Sequence, residues 1–153
     1  MRSEPAVLTP ADTGELLTLQ RAAFATEAQL YGDPWLPALV QTIAELRAEL
    51  ATGRAVGVRI DGRLVGAVRT REDAGVLHVN RLTVAPDLQG GGIGSRLLLA
   101  AEDGATACVA VLFTGHRSAG NLRLYERHGY VEQRREPVHE GLTLVHLSKL
   151  LRG

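Results

Sequence analysis

A glycine-rich turn between an apolar run and a leucine-rich run is the part of this chain best suited to binding chemistry. Four glycines lie within five positions: Gly90, Gly91, Gly92 and Gly94. Glycine has no Cβ, so the backbone can pass close to a ligand there. The free N–H groups and the dipole at the start of the following helix favour an anion such as a phosphate. We therefore expect a phosphate-bearing cofactor to bind at this turn.

Two well-known phosphate-binding patterns do not fit this turn. The P-loop requires Gly-x4-Gly-Lys-Ser/Thr, and the only lysine of the chain is Lys149. The dinucleotide pattern Gly-x-Gly-x-x-Gly ends on Ser95 when it starts at Gly90, and on Leu97 when it starts at Gly92. The pattern present is Gln-x-x-Gly-x-Gly over 89–94. A turn without a ligand is the alternative, but such a turn needs one glycine rather than four.

A second motif lies further along the chain, in residues 118–130. It contains Leu124-Tyr125, followed by Gly129-Tyr130. The two motifs, in this order, resemble the pyrophosphate loop and the fourth helix of the GNAT (general-control-related N-acetyltransferase) superfamily. The resemblance is clear from Val56 to Val131 and extends to the first 50 residues only in outline.

The resemblance implies that acetyl-CoA is the acetyl donor and that the acetyl group passes directly to an amine nitrogen. It also implies that the sheet opens beside the strand Val76–Ala85, which frees backbone groups for the pantetheine arm of coenzyme A. One of these N–H groups could polarise the thioester carbonyl. The residues expected at the cofactor are Leu82, Thr83, Val84, Gln89, Gly90, Gly91, Gly92, Ile93, Gly94, Ser95, Ser118 and Asn121.

One position departs from the family pattern. The family often carries an asparagine seven positions before the tyrosine, where its amide contacts the pantetheine arm. Here that position is Ser118, and an asparagine stands instead at Asn121, one helical turn before Tyr125. Either residue, or both, could reach the cofactor. Ser118 could alternatively cap the helix through its hydroxyl.

The resemblance also assigns the catalytic acid. Tyr125 matches the family's general acid, which protonates the leaving thiolate. A phenol stays protonated at neutral pH and can donate its proton. The alternative is a tyrosine packed in the core with its hydroxyl hydrogen-bonded. Tyr130 takes the place of the family's packing aromatic residue, and we expect no catalytic role for it.

The general base is less well defined. His78 is the best single candidate, because histidine is the side chain that changes charge nearest to neutral pH. If no bulge intervenes, His78 shares one face of its strand with Asn80, Leu82 and Val84. A structural histidine, a carboxylate (Glu27, Glu72 or Asp73) and a chain of water molecules are the alternatives. Arg81 could bind an acidic part of the substrate or pair with a carboxylate of the protein.

Composition limits the class of protein. The chain has 153 residues, 45% of them apolar, which predicts one domain over 1–153 with a full core. Seventeen basic and seventeen acidic residues give no charge excess for nucleic acid or a membrane surface. The lone Cys108 excludes a disulfide framework and favours the cytoplasm; its apolar neighbours predict that it lies in a buried strand. The histidines show no metal-ligand spacing, so we expect no metal.

Hydrophobic periodicity and turn residues predict the order βααβββαβαββ. The helices are expected over 10–25, 38–52, from the glycine turn to about 103, and over 119–127, with a loop from Thr26 to Pro37 between the first two. The strands are expected over 6–8, 55–60, 64–71, 76–85, 108–113, 130–134 and 142–150. The strand over 108–113 is apolar enough to be buried on both faces. The predicted fold class is α/β (α+β), a GNAT-like, mostly antiparallel mixed sheet of six or seven strands with helices on both faces.

These features predict an N-acetyltransferase that uses acetyl-CoA. We favour the primary amine of a small molecule as the acceptor over a protein N-terminus or lysine. A module that binds acyl-CoA without chemistry is the rival from another class. Tyr31 and Trp35, in the expected loop, could line an apolar acceptor pocket, form a homodimer contact or pack within the loop.

Overall fold

A single seven-stranded sheet organises the chain, whose computed structural model describes residues 4–152. The strands are β1 (Ala6–Val7), β2 (Arg54–Ile60), β3 (Arg63–Asp73), β4 (Val76–Val84), β5 (Val109–Gly115), β6 (Val131–His139) and β7 (Leu142–Leu150). The helices are α1 (Thr13–Tyr31), α2 (Pro37–Val40), α3 (Ile43–Thr52), α4 (Ile93–Asp103) and α5 (Ala119–Arg127), with short 3₁₀ turns at Pro10–Asp12 and Pro86–Leu88.

The strand order is β1-β2-β3-β4-β5-β7-β6. Every neighbouring pair is antiparallel except β4 and β5, which run parallel. The predicted mixed, mostly antiparallel sheet is therefore confirmed. The β2–β3 connection is the expected hairpin, since Asp61 and Gly62 both have positive φ (50° and 84°).

Helices cover both faces of this sheet, as predicted. On one face, α4 packs directly on β3 at Gly66, where a Cβ would lie 2.6 Å from Cγ2 of Ile93. On the other face, Gln20 of α1 accepts a 2.9 Å hydrogen bond from Arg69 of β3. Residues 66 and 69 point to opposite sides because side chains alternate along a strand. The core between these layers includes the fully buried Val58, Val65, Leu97, Leu98 and Val145.

The first helical region differs from the prediction in two places. Helix α1 continues past Ala25 to Tyr31 and ends at Gly32, which has φ of 61°, so the expected loop from Thr26 is largely helical. The expected helix over 38–52 is interrupted between α2 and α3. Thr42 caps α3 by accepting from the N–H of Glu45 at 3.1 Å, while the Glu45 side chain accepts from the N–H of Thr42 at 2.8 Å. This capping box starts a new helix, and the prediction missed it.

Two predictions about the later strands were wrong. Cys108 is exposed and lies just before β5 rather than inside a buried strand. Strand β5 is not buried on both faces. Ala110, Leu112 and Thr114 are buried, whereas the side chain of Phe113 is 49% exposed. That alternation is typical of a strand with one covered face. Strand β6 extends to His139, beyond its predicted end, and is an exposed edge strand paired only with β7.

A β-bulge in β4 changes which residues share a face. Ala67 pairs with Thr83, but Arg69 pairs with Asn80, so β4 holds one extra residue there. Arg81 lies at this bulge with φ of 54°. Because of the bulge, Asn80 lies on the same face as Thr83, and the expected alternation through Leu82 and Val84 does not hold.

The sheet opens beside β4, as the resemblance implied. Strand β4 pairs with β5 only from Val76 to His78. Within residues 4–152, no strand pairs with the rest of β4 on that side, from the bulge to Val84. Since successive backbone N–H groups of a strand point to alternate sides, part of this stretch directs its N–H groups into the opening.

Candidate functional site

Two adjoining cavities lie at this opening. The glycine-loop cavity, of about 580 Å³, is bounded by the end of β4, the glycine turn, the start of α4 and helix α5. The strand cavity, of about 710 Å³, is bounded by α1, α2, the second half of β3, the middle of β4 and the end of β5. The residues that line both cavities are Phe24, Glu27, Leu82 and Asn121. The two cavities therefore lie side by side at these residues.

The glycine-loop cavity brings together almost all of the predicted cofactor residues. Of the predicted cofactor residues, Gly91 does not line this cavity. Those that do are Leu82, Thr83, Val84, Gln89, Gly90, Gly92, Ile93, Gly94, Ser95, Ser118 and Asn121. This agreement concerns their location, and their contact with a cofactor stays a prediction.

The backbone of the turn has the geometry that an anion site requires. Gly90 and Gly92 have φ of 83° and 87°, a region that residues with a Cβ rarely adopt. A Cβ at Gly92 would project into open space, whereas one at Gly94 would lie 3.2 Å from Cδ2 of Leu124. Gly92 is also the N-terminal cap of α4, so the free N–H groups of this helix begin at the turn. Gln89 donates a 3.4 Å hydrogen bond to the carbonyl of Val84, which connects the turn to β4.

Sequence reasoning missed three arginines of this cavity. Arg117 lies before α5, and Arg123 and Arg127 lie on it, four positions apart and hence on one helical face. Within residues 4–152, none of these three guanidinium groups has a hydrogen bond or an ion pair with the protein. The available signal was the arginine directly before Ser118 and the four-residue spacing of the two that follow it. They could bind the phosphates of a cofactor through charge-assisted hydrogen bonds.

Tyr125 lines the strand cavity and is only 5% exposed. Burial raises the pKa of its phenol above the ordinary tyrosine value, and the negative charge of Glu27 raises this pKa further. The group is therefore a proton donor over the whole neutral range. Tyr130 is buried in the core, where its hydroxyl donates a 2.9 Å hydrogen bond to Glu102. Tyr130 lines neither cavity, in agreement with the packing role predicted for it.

A chain of hydrogen bonds leads to the carboxylate of Glu27. The hydroxyl of Ser118 donates to Oε2 of Glu27 at 2.8 Å. The hydroxyl of Tyr31 lies 2.7 Å from Oγ of Ser118 and accepts from the N–H of Arg117 at 2.9 Å. Since the Ser118 hydrogen points to Glu27, the Tyr31 hydroxyl must donate to Ser118. Ser118 makes no side-chain cap of α5, so the capping interpretation of this residue was wrong.

The candidates for the general base differ in position. Glu27 lies where the two cavities meet, whereas His78 lines neither of them. Glu72 accepts hydrogen bonds from the N–H groups of Thr106 and Ala107 at 3.1 and 2.7 Å. Neither Glu72 nor the adjacent Asp73 is among the cavity residues. Of the side chains named as possible bases, the structure brings only Glu27 to the site.

The two aromatic residues of the expected loop have different environments. Tyr31 is 8% exposed and lines the strand cavity, which agrees with the pocket interpretation. Trp35 is 76% exposed and lines neither cavity. Gly115 of β5 makes room for Tyr31, because a Cβ at Gly115 would overlap the Tyr31 hydroxyl.

Neither a metal site nor a membrane-spanning helix is found in the described part of the chain. Among residues 4–152, no three His, Cys, Asp or Glu side chains are grouped so that they could hold a metal ion. In the same part of the chain, no helix is both long enough and apolar enough to cross a membrane.

Comparison with known proteins gives one family and many similar folds. A family model described as an acetyltransferase (GNAT) domain matches residues 25–151. The UPF0157 protein YqkA of Bacillus subtilis (strain 168) is 27% identical over 131 residues. That alignment covers 85% of this chain, and the chain spans 38% of the length of this relative.

Two solved structures have a similar fold at low sequence identity. The ribosomal-protein-S18-alanine N-acetyltransferase from Escherichia coli superposes with a TM-score of 0.81 at 17% identity, covering 100% of this chain and 96% of its own. The PaiA N-acetyltransferase from Thermoplasma acidophilum, in complex with coenzyme A, superposes with a TM-score of 0.78 at 18% identity, covering 97% and 99%.

Proposed function

The chain belongs to the GNAT acetyltransferase family, and we propose that its acceptor is the primary amine of a small molecule. The family makes it an N-acetyltransferase that uses acetyl-CoA. The choice of acceptor rests on the strand cavity, whose walls include α1, α2 and three strands. Its volume of about 710 Å³ lies within the range of about 300–1,000 Å³ typical of small-molecule sites. An extended peptide would need an open groove instead.

Coenzyme A fits the glycine-loop cavity. The free N–H groups at the start of α4 and the absence of a Cβ at Gly92 suit a pyrophosphate. Arg117, Arg123 and Arg127 supply positive charge along the opposite wall. The bound thioester would supply the acetyl group, and the junction of the cavities would hold its carbonyl near the acceptor nitrogen. Support for this arrangement is the clustering of eleven of the predicted cofactor residues around one cavity.

Glu27 and Tyr125 are the proposed proton-transfer residues. A protonated amine must lose a proton before its nitrogen can form the new C–N bond. Glu27 would accept that proton, because its carboxylate lies where the two cavities meet. Tyr125 would donate its phenolic proton to the sulfur as the C–S bond breaks. His78 was the best candidate from the sequence, and its place outside both cavities is the reason for preferring Glu27.

A protein acceptor is the second candidate. It is suggested by the similar fold of the ribosomal-protein-S18-alanine N-acetyltransferase from Escherichia coli. That similarity extends to the fold alone, and the volume of the strand cavity, which is typical of small-molecule sites, favours the smaller acceptor. A sensor that binds acyl-CoA without chemistry is the third, and the presence of both proton-transfer residues argues against it.

An acceptor screen tests the proposal. Purified protein and acetyl-CoA are mixed with a panel of small primary amines and, separately, with peptides that offer a free N-terminus or a lysine. Release of the coenzyme A thiol is recorded against a blank without acceptor. We expect turnover with small amines at a kcat/KM at least tenfold above that of any peptide. Higher kcat/KM with peptides would establish the protein acceptor, and tight cofactor binding without thiol release in any mixture would establish the sensor.

A further inference from the structure

The strand cavity has an excess of positive charge, which bears on the chemistry of the acceptor. Four arginines and two glutamates line it: Arg54, Arg69, Arg71, Arg81, Glu27 and Glu49. The chain as a whole has no net charge. The excess is therefore a local property of the cavity, and the local potential decides which ligands are attracted.

Three of these arginines already interact with the protein. Arg69 lies 3.0 Å from Glu49 and donates to Gln20 at 2.9 Å. Arg71 lies 3.6 Å from Asp73. The Arg54 guanidinium packs against Gly104 at the end of α4, where an added Cβ would come within 2.7 Å of it.

Arg81 is different from the other three. In the described residues, its guanidinium has no hydrogen bond and no ion pair. Glu49 is the carboxylate whose charge acts on Arg81, and it is already held by Arg69 and by a 2.7 Å hydrogen bond from Gln41. Burial lowers the pKa of Arg81, which means that the protein bears a cost for keeping this charge away from water.

The bulge of β4 explains why Arg81 is at the cavity. Its φ of 54° interrupts the regular alternation, and the consecutive residues Asn80, Arg81 and Leu82 all line the cavity. Arg81 does not line the glycine-loop cavity, unlike Leu82 beside it. The phosphates of the cofactor are therefore not the natural partner of this guanidinium.

We propose that the acceptor amine carries an anionic group, a carboxylate or a phosphate, that binds Arg81 while the amine faces Glu27 and Tyr125. This proposal rests on the proposed function and adds the chemical class of the acceptor. A guanidinium presents a planar fork of donors that matches the oxygens of both groups. Binding of such an anion would offset the cost of burying Arg81. It would also hold the amine at a fixed distance from the thioester.

The experiment compares matched acceptors on wild type and variants. The acceptors are ω-amino acids of increasing chain length, the corresponding ω-aminoalkyl phosphonates and the corresponding ω-amino carboxamides, which are neutral. Arg81→Asn removes the charge, and asparagine tolerates the positive φ of the bulge. Arg81→Lys keeps the charge without the fork. Arg134→Asn, on the exposed strand β6, is the control for a change of net charge. Calorimetry with the coenzyme A-bound protein measures acceptor affinity independently of turnover.

We expect wild type to prefer one anionic series over the carboxamides by about tenfold to a hundredfold in kcat/KM and in Kd. Arg81→Asn should abolish this preference with little change for the carboxamides and for coenzyme A. Arg81→Lys should retain part of the preference for anionic acceptors, and Arg134→Asn should retain all of this preference. The preferred series distinguishes carboxylate from phosphate.

The two proposals fail in different ways. Equal kcat/KM for carboxamides and anions, or a preference that survives in Arg81→Asn, would overturn the role of Arg81 and leave the small-molecule acceptor in place. Absence of turnover with every amine would overturn the proposed function. If no amine is turned over, calorimetry still tests the anion site. Equal affinities for anions and carboxamides would overturn the anion site as well. Tighter binding of the anions that is lost in Arg81→Asn would uphold the anion site.

Discussion

The hydroxyl of Ser118, just before α5, donates a 2.8 Å hydrogen bond to the carboxylate of Glu27 on α1. This contact joins the helix over the strand cavity to the helix that carries Tyr125. The hydroxyl of Tyr31 donates to Ser118 in turn, at 2.7 Å, and is held by the N–H of Arg117. The proposed base is thereby fixed at the junction of the two cavities. Four testable consequences follow from this arrangement and from the glycine turn.

Replacement of Glu27 should impair proton removal. We expect Glu27→Gln to lower kcat/KM by about a hundredfold or more near neutral pH, within the range of general-base catalysis, with coenzyme A affinity unchanged. The deficit should shrink as the pH approaches the amine's own pKa, because a neutral amine needs no base. Steady-state kinetics over pH measures this, with His78→Gln as the comparison. A larger loss in His78→Gln than in Glu27→Gln would reverse the assignment.

Replacement of Tyr125 should slow the chemical step and spare binding. We expect Tyr125→Phe to lower kcat by about a hundredfold with an unchanged Kd for coenzyme A. Burial and the Glu27 charge raise the Tyr125 pKa above its ordinary value, so the phenol stays protonated as the pH rises. The wild-type kcat should accordingly show no alkaline loss due to Tyr125 below pH of about 10. A weaker Kd with unchanged kcat would make Tyr125 a binding residue instead.

Tyr31 should act as a positioning residue for Glu27. Tyr31→Phe leaves the N–H of Arg117 without a partner and removes the donor to Ser118 Oγ, which keeps its hydrogen bond to Glu27. We therefore expect a loss of about 1–3 kcal/mol in the free energy of unfolding. Its kcat should also fall, since the carboxylate is less well held. Tyr130→Phe is the matched control, because it removes a buried hydroxyl bonded to Glu102 away from both cavities. Denaturation measures the stability of each variant, and steady-state kinetics measures its kcat. Equal kcat in Tyr31→Phe and Tyr130→Phe would mean that the role of Tyr31 is purely structural.

Side chains at the glycine turn should block cofactor binding. Wild type should melt at a higher temperature with coenzyme A, by the equivalent of about 2.7 kcal/mol at a hundredfold excess over Kd. Gly94→Val should remove this shift, because a Cβ there already crowds Leu124. Gly92→Val should also remove it, through its positive φ and the side chain placed in the cavity. Gly14→Ala, in α1 with open space around it, should keep the full shift; a loss there as well would point to a nonspecific effect.

Local patterns of the sequence predicted much of the fold. The bounds of α5 and β7 agree with the prediction, and the glycine turn opens α4 where expected. These elements are encoded by neighbouring residues: hydrophobic periodicity, glycines and helix ends. The break before α3 was encoded locally too, in the capping pair Thr42 and Glu45, but the continuous helical spacing of the leucines concealed it.

The sequence by itself determined the glycine turn, the position of Tyr125 and the family, because each depends on residues close together in the chain. Only the tertiary structure decided which side chains line the strand cavity. Glu27 and Ser118 meet across 91 positions, and no local pattern reports such a contact. The bulge at Arg81 depends on how β4 pairs with β3, since one extra residue changes the face of every side chain beyond it. That register brings Arg81 to the cavity, while His78, at the paired start of β4, stays outside it.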